Sequence, residues 1–346
     1  MIAYDISVRI IFLSQTAFGT LGNSFILGFY IITSLRGLRL RPTDFFLTQL
    51  SLANDVVLLS KGIPQTMATF GLNNFLDDAG CKLFFYIHRV ARGLSLSTTC
   101  LLSGFQAITI SPMSSGWAEL KTRVPKCIIP SCLLCWILNL LTNCIILVYM
   151  KAPVRGGNTT KIQDFVFCSF LIHPTDITSL YILMISIPDV VCFGIMIWAS
   201  SSMVFVLYRH HQRVQHIYST RLSPRGSPVV RATQTILMLV IMFVSFYSLN
   251  SMLVLHMIFV KSHLWLVNSS ALLSACFPAL SPFVLIISDS RVPKSFLALW
   301  SRVISLKILI PFFKPSSNWI IEPLSIRVLT HTPQLPSKLS THTHRH

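Results

Sequence analysis

Seven long apolar runs are the feature that most constrains this chain. A helix needs about 20 mostly apolar residues to cross a bilayer core, and unpaired backbone is not tolerated there. Runs of that length occupy residues 8–33, 43–67, 82–110, 124–149, 177–208, 232–260 and 264–288. Numbered as spans 1 to 7, they predict an all-α membrane protein with a seven-transmembrane helix bundle.

Composition supports this class of protein. The chain has 346 residues, of which 53% are hydrophobic and only 11% are charged, too few charges to cover a soluble domain of this size. The formal net charge of +17 is a feature of nucleic-acid-binding proteins too. Much of that charge, however, lies in short loops beside apolar runs. We therefore expect this chain to lie in a lipid bilayer and not to bind nucleic acid.

The basic residues predict the orientation, because cytoplasmic loops carry an excess of Lys and Arg. The loops after spans 1, 3 and 5 hold the larger set: Arg36, Arg39, Arg41, Lys121, Arg123, Lys126, Arg209, Arg213, Arg221, Arg225 and Arg231. The other loops and their edges hold Lys82, Lys151, Arg155, Lys161 and Lys261. The N-terminus is therefore expected outside and the C-terminus inside. Asn158 opens a glycosylation sequon on the predicted outer face.

Two of the nine cysteines stand out by position. Cys81 opens span 3 on the outer side, and Cys168 lies in the outer loop before span 5. A disulfide between them would tie that loop over the mouth of the bundle, in a compartment that permits it. The alternative is two unpaired loop cysteines.

The motifs of enzymes and metal sites are missing from the sequence. It shows no catalytic Ser–His–Asp order, no P-loop, no dinucleotide fingerprint and no metal-ligand spacing, so we expect no enzyme, no metal and no cofactor. A solute transporter or channel is a second alternative. Transporters often carry internal repeats, but no repeat is visible and seven spans do not divide into halves.

The stretch YIHRVARG places His88, Arg89 and Arg92 within span 3. Charges inside a bilayer are costly and usually mark a function. Arg92 shares a helix face with the other two, at i, i+3 and i, i+4. This basic face has three alternative roles: it contacts an acidic ligand group, it pairs with the protein's own acids, or its side chains extend to the outer headgroups. The candidate acids are Asp77, Asp78, Asp164, Asp176 and Asp189.

Other polar and aromatic residues in the spans are further candidates. Asp55 and Asn54 in span 2, with Asn23 in span 1, predict a polar core that either holds water or sodium or is a structural knot. Asp189 follows Pro188, and a kink beside an acid suits a pocket wall. The candidates for the ligand pocket are His88, Arg89, Arg92, Asp189, Tyr181 and Phe85.

Five stretches give the chain a recognisable likeness. They are LSLANDVVLLSKGIPQTMATFG, FLDDAGCKLFFYIHRVARGLSLSTTCLLSGFQAITISP, YRHHQRVQHIYSTRLSPRGSP, RATQTILMLVIMFVSFYSLNS and SPFVLIISD. Between Ser14 and Asp289 the chain resembles the vomeronasal type-1 receptors. The resemblance implies a G-protein-coupled pheromone receptor, multi-pass in the plasma membrane. It implies that a small organic ligand binds in the outer half of the bundle and that the partner is a heterotrimeric, inhibitory-class G protein.

Two motifs of the commoner G-protein-coupled receptors are absent. The end of span 3 reads FQAITISP, without an acid–arginine pair, and span 7 reads FPALSPFVLI, without the usual Asn and Tyr. Both resemble the pattern of the vomeronasal family. Their absence puts in doubt that an interhelical ion pair, an ionic lock, keeps this receptor inactive in the absence of ligand.

The inner loops are the expected contact for the G protein. The candidates are Arg209, Arg213, Arg221, Arg225, Arg231, Lys121 and Arg123. The alternative role of this charge is an orientation signal that also attracts anionic lipid.

The chain divides by composition into two parts. Residues 1–290 are expected to form the receptor domain, and 291–346 a cytoplasmic tail that is atypical and poorly ordered. Apolar clusters such as ILIPFF lack a sustained period, so an altered reading frame is the alternative origin of the tail.

Overall fold

The computed structural model describes residues 2–38, 40–71, 76–111, 115–151, 162–164, 168–171, 176–217, 228–259, 264–289 and 291. Within these residues the chain forms eight α-helices and three short β-strands. They belong to one compact unit, Met1–Ala298, and the second unit, Leu299–His346, lies outside the described residues. Apart from Arg291, the predicted tail lies outside the described residues, and so does the predicted sequon at Asn158.

Seven of these helices correspond to the predicted spans, which confirms the all-α membrane fold. The helices are α1 (Ile2–Leu35), α2 (Pro42–Thr69), α3 (Asp78–Ile110), α4 (Ser115–Thr142), α5 (Ile146–Tyr149), α6 (Asp176–Ile217), α7 (Pro228–Phe259) and α8 (Leu264–Ser288). Helix α5 is a single turn, so spans 5, 6 and 7 are α6, α7 and α8.

Six of the described helices are long and apolar enough to cross a membrane: α1, α3, α4, α6, α7 and α8. Helix α2 is less apolar because it contains Asp44, Asp55 and Lys61. It packs against α1, α3 and α8, and both of its carboxylates are buried. Protein rather than lipid surrounds these polar side chains, so α2 does not need the hydropathy of its neighbours.

The predicted fourth span is interrupted near its end. Helix α4 stops at Thr142, and three residues separate it from α5. There the backbone hydrogen bonds span three residues instead of four. They run from the Cys144 N–H to the Leu141 carbonyl (3.2 Å) and from the Ile146 N–H to the Asn143 carbonyl (3.1 Å). An apolar run does not reveal such a break, because the residues on both sides of it remain hydrophobic.

Helix α3 is the centre of the bundle. Its first turn is capped by Asp77, whose carboxylate accepts a hydrogen bond from the Gly80 N–H at 2.7 Å. The helix then packs against α2, α4, α6 and α7. Buried side chains lie on it from Cys81 to Ala107, so the polar residues of span 3 face protein over most of its length.

A three-stranded antiparallel sheet lies in the loop before α6. Its strands are β1 (Met150–Lys151), β2 (Ile162–Asp164) and β3 (Ser169–Leu171), with β3 in the middle. Cys168, directly before β3, forms a disulfide with Cys81 at the start of α3, and their Cα atoms are 5.9 Å apart. Both cysteines are fully buried. The disulfide therefore holds the sheet against the start of α3.

Candidate functional site

A small, partly open cavity of about 30 Å³ lies between α2, α3, α7 and α8. Its polar lining consists of Arg92, Ser95, Asn250 and Ser274, and its apolar lining of Val57, Phe243, Phe246, Tyr247, Leu273, Phe277 and Pro278. A mostly apolar concavity with a few polar groups is the usual form of a small-molecule site.

Arg92 is the charged residue in the cavity wall. Its guanidinium carbon lies 4.5 Å from the centre of the Tyr247 ring, a cation–π contact between α3 and α7. The Tyr247 hydroxyl in turn donates a hydrogen bond to Oδ2 of Asp189 on α6. Arg92 forms no salt bridge with a carboxylate of the described residues. Arg92 and Asp189 are thus connected through one tyrosine rather than directly.

Aromatic rings support this tyrosine from three helices. The Tyr247 ring packs edge-on against Phe193 of α6 at 4.8 Å and is stacked with Phe243 at 5.7 Å between centroids. Phe243 also meets Phe277 of α8 edge-on at 4.7 Å. Such contacts add to the energy of burial and restrict ring rotation. The position of the Tyr247 ring is therefore coupled to α6, α7 and α8.

His88 lies one helical turn from Arg92 and is buried, with 8% of its surface exposed. Its Nδ1 has no hydrogen-bond partner among the described residues. Beside it on α2 is Lys61, whose Nζ donates to the Ser274 hydroxyl at 2.7 Å. Lys61 and Arg92 lie close enough to interact electrostatically with each other and with His88.

Lys61 is a functional candidate that the sequence analysis missed. The available signal was a lysine within the apolar run of span 2, in the stretch LLSKGIP. A lysine within a span marks a function as strongly as an arginine does. Its spatial relation to Arg92 was not visible, because it depends on how α2 and α3 are rotated about their axes.

The other pocket candidates lie in different surroundings. Phe85 packs in the small cluster that contains Cys81 and Cys168, next to the loop before α6. Arg89 is partly buried on α3 and does not line the cavity. Tyr181 is on α6, but its side chain is outside the described part of the structure. The structure therefore brings together Arg92 and Asp189, with His88 nearby, and separates Phe85 from them.

The predicted polar core connects four helices by hydrogen bonds. Asn23 on α1 donates to the Pro278 carbonyl of α8 at 2.8 Å. Asn54 on α2 donates to Ser281 at 3.0 Å and accepts from Ser95 of α3 at 2.8 Å. Asp55 accepts from Ser24 at 2.9 Å. These bonds form a hydrogen-bond network that fixes α1, α2, α3 and α8 relative to one another.

The C-terminal part of α3 and the N-terminal part of α7 are joined by a neutral hydrogen bond. Nε2 of Gln106 donates to Oγ1 of Thr233 at 2.9 Å, and both residues are buried. This contact lies in the FQAITISP stretch, where the acid–arginine pair of the commoner receptors is missing. A polar connection between the two helices therefore exists here without a charge.

The basic candidates of the inner loops are mostly exposed. Arg123 pairs with Glu119 at 2.7 Å on a largely exposed helix face, and Lys121 donates to the Ser111 carbonyl. Arg209 packs over Phe205 at 5.1 Å, and Arg231 donates to the Ile287 carbonyl at 3.2 Å. Two candidates fall outside the described residues, Arg221 and Arg225, and the side chain of Arg213 does as well.

Arg291 contacts two carboxylates. Nη1 and Nη2 of its guanidinium bind both oxygens of Asp44, at 3.1 and 2.8 Å, and Nη2 also binds Asp289 at 2.7 Å. The first residue of the predicted tail thus belongs to the bundle. Burial alone would raise the pKa of Asp289, but the hydrogen bonds and charge of Arg291 outweigh it and lower that pKa. The two carboxylates raise the pKa of Arg291.

Comparison with known proteins identifies the family. A family model described as the vomeronasal organ pheromone receptor family matches residues 6–298. Human vomeronasal type-1 receptor 1 is 47% identical over 292 residues, covering 84% of this chain and 82% of that protein. Human vomeronasal type-1 receptor 4 is 48% identical over 291 residues, covering 84% and 96%.

A more distant relative agrees with this assignment, and a solved structure shares the fold. The zebrafish olfactory receptor class A-like protein 1 is 32% identical over 284 residues, covering 81% of this chain and 89% of that protein. The crystal structure of squid rhodopsin superimposes with a TM-score of 0.66 at 17% identity, covering 88% of this chain and 87% of that chain, a likeness of fold. The chain therefore belongs to the vomeronasal organ pheromone receptor family and is a multi-pass G-protein-coupled receptor of the plasma membrane rather than an enzyme.

Proposed function

We propose that the cavity between α2, α3, α7 and α8 binds a small organic pheromone ligand in the outer half of the bundle. The observation that carries this is the contact of Arg92 with Tyr247 at the cavity wall, together with the Tyr247–Asp189 hydrogen bond. Arg92 follows Cys81 on α3 at a helical distance of roughly 17 Å. A ligand in the cavity therefore touches α3 and α7 directly, and α6 through the tyrosine.

Helix α7 offers a route from this cavity to the cytoplasmic side. Tyr247 and Thr233 lie on the same helix, roughly 21 Å apart along its axis. A change in the packing of Tyr247 reaches the Gln106–Thr233 bond through a rigid element. Displacement of packed helices is a common form of switching. The chain then activates a heterotrimeric G protein of the inhibitory class through the loops after α3 and α6.

A calcium assay tests this function. Cells express the chain with a coupling G protein and receive carboxylic acids, alkyl sulfates, neutral alcohols and volatile esters. We expect a dose-dependent response that disappears when a toxin inactivates the inhibitory Gα subunit. Phe246→Trp, which fills the cavity, should reduce the response. The matched control is Phe283→Trp on the exposed side of α8.

Two outcomes contradict the proposal. Solute uptake or ionic current that does not need a G protein would identify a transporter or channel instead. Equal responses in Phe246→Trp and Phe283→Trp, at equal surface level, would place the ligand outside this cavity.

A further inference from the structure

The end of α8 is attached to two other helices through arginines. Arg291, which follows α8, binds both oxygens of Asp44 in the first turn of α2, at 2.8 and 3.1 Å. Arg231, near the start of α7, donates to the Ile287 carbonyl of α8 at 3.2 Å. The starts of α2 and α7 therefore meet the end of α8 at one end of the bundle.

Asp289 holds Arg291 in place for its contact with α2. Oδ1 of Asp289 accepts from the backbone N–H of Arg291 at 3.0 Å, and the same carboxylate binds Nε and Nη2 of the guanidinium at 2.7 to 3.2 Å. We call Asp44, Asp289 and Arg291 the Arg291 cluster. Its one cation is partly exposed and compensates two acids, of which Asp44 is only 1% exposed. Because a buried charge without a partner is costly, the helix positions that allow this contact are strongly favoured.

Helix α8 has weak points directly before this cluster. Pro278 and Pro282 lack an N–H, so the backbone hydrogen bonds that they would donate within the helix are missing. The Pro278 carbonyl accepts instead from Asn23 of α1 at 2.8 Å. The backbones of α1 and α8 are also close here, since a Cβ on Gly22 would lie 2.9 Å from Pro282. The middle of α8 is therefore fixed to α1, and residues 283–288 follow a point at which the helix can bend.

Among the described residues, the Arg291 cluster supplies the ion pair that joins separate helices at this end. The Arg123–Glu119 pair lies within α4, and the contact between α3 and α7, Gln106 with Thr233, is neutral. Ion pairs between packed elements are rearranged in many switching transitions. An ion pair that follows a bendable point and connects to α7 is suited to such a role.

We propose that the Arg291 cluster is a releasable restraint of the inactive receptor. While it is formed, it holds residues 283–288 of α8 and, through Arg231, the start of α7. Its release lets both segments move and changes the surface beside the loop between α6 and α7. This inference rests on the proposed function, in which that loop contacts the G protein.

Hydrogen exchange of the full-length receptor in lipid nanodiscs tests the restraint without any signalling step. Arg291→Gln and Asp44→Asn are compared with the natural chain and with the double variant. We expect exchange to be about tenfold faster in residues 283–289 of α8 and also in 232–238 of α7, because release couples the two segments. The double variant should exchange no faster than the faster single variant, since both substitutions remove the same contact.

Leu50→Ala is the control for general loosening, because it removes buried packing from α2 without touching the cluster. Faster exchange in 283–289 alone would make the cluster a local structural contact and would overturn the proposal. An equal acceleration of both segments in Leu50→Ala would overturn it as well.

Basal nucleotide exchange on purified Gα subunits measures the functional consequence, and it needs no ligand. Membranes with equal receptor content are mixed with Gα subunits of the inhibitory, stimulatory and phospholipase-activating classes. Arg291→Gln and Asp44→Asn should raise the basal rate on the order of threefold to tenfold, whereas Leu50→Ala and Arg36→Gln should not.

The outcomes separate this inference from the proposed function. An unchanged basal rate in both cluster variants, in a receptor whose basal rate rises in Thr233→Val, overturns the restraint and keeps the proposed function. Faster hydrogen exchange in both segments without nucleotide exchange on any of the three Gα classes keeps the restraint and contradicts the proposed function.

Discussion

The guanidinium of Arg291 binds both carboxylate oxygens of Asp44, a residue 247 positions earlier in the chain. Asp44 lies in the first turn of α2 and its side chain is only 1% exposed, whereas Arg291 follows the end of α8. This contact joins the start of α2 to the end of α8 at the face where the G protein is expected. Arg291 is the first residue of the segment that the sequence analysis assigns to the tail.

Removal of this arginine should destabilise the receptor. Arg291→Gln leaves the buried carboxylate of Asp44 without its charged partner, at a cost of roughly 2–3 kcal/mol, below the full value for a completely buried pair because Arg291 is partly exposed. Thermal unfolding in detergent micelles should show a Tm lower by several degrees. Arg36→Gln, at an exposed position in the preceding loop, is the matched control. Equal melting of the two variants would contradict this interpretation.

The same contact predicts how stability depends on pH. The folded pKa of Asp289 is lowered, so its contribution is fully present above the unfolded pKa of about 3.9 and is lost as the pH falls through the folded value. The Tm difference between the natural chain and Arg291→Gln should therefore be constant from pH 8 to about 6. It should shrink below that, as the carboxylate that lost its partner is protonated in the variant, and vanish below about pH 4. A difference that already declines between pH 8 and 6 would show that another group controls this contact.

The Gln106–Thr233 bond should restrain the inactive conformation. Thr233→Val keeps the shape of the side chain and removes the hydroxyl that accepts from Gln106. A net loss of about 1 kcal/mol, with a buried amide left unpaired, shifts the conformational equilibrium about fivefold. We expect a higher basal G-protein signal at equal surface level. Thr235→Val is the control, since that hydroxyl bonds only within its own helix, to Arg231. Identical basal signals would remove this role.

The ring of Tyr247 should contribute more to signalling than its hydroxyl. Tyr247→Phe keeps an aromatic face for Arg92 and loses the bond to Asp189, whereas Tyr247→Leu loses both. Since a cation–π contact is worth about 0.5–2 kcal/mol, agonist potency should fall roughly tenfold in Tyr247→Leu and less in Tyr247→Phe. Dose–response curves at matched surface level measure this. The reverse order would indicate that the hydrogen bond to Asp189 dominates.

The disulfide should be required for surface delivery. Cys81→Ser releases the three-stranded sheet from α3, at a cost of about 2–5 kcal/mol. Surface labelling of non-permeabilised cells should fall severalfold. Cys144→Ser, which removes an exposed free cysteine of the same bundle, should leave the labelling unchanged. If both variants reach the surface equally, the disulfide is dispensable for folding.

Much of the fold was predictable because apolar length is a local property of the chain. The runs at 43–67 and 264–288 end within two residues of helices α2 and α8. The break after Thr142 was not predictable in the same way, since it depends on backbone hydrogen bonds within a run that stays hydrophobic. The site was only partly predictable. Arg92 was a candidate because a charge within a span is unusual, but its partner Tyr247 is an ordinary aromatic residue of another span.

The sequence by itself therefore determined the number of long helices, the membrane environment and the resemblance to the vomeronasal type-1 receptors. These follow from hydropathy and from ordered local motifs, which need no knowledge of packing. The tertiary structure alone decided which polar groups meet: Lys61 with Ser274, Gln106 with Thr233, and Asp44 with Arg291. Each pair joins two distant segments, and its contact depends on the rotation and crossing of packed helices. A one-dimensional pattern carries no information about that geometry.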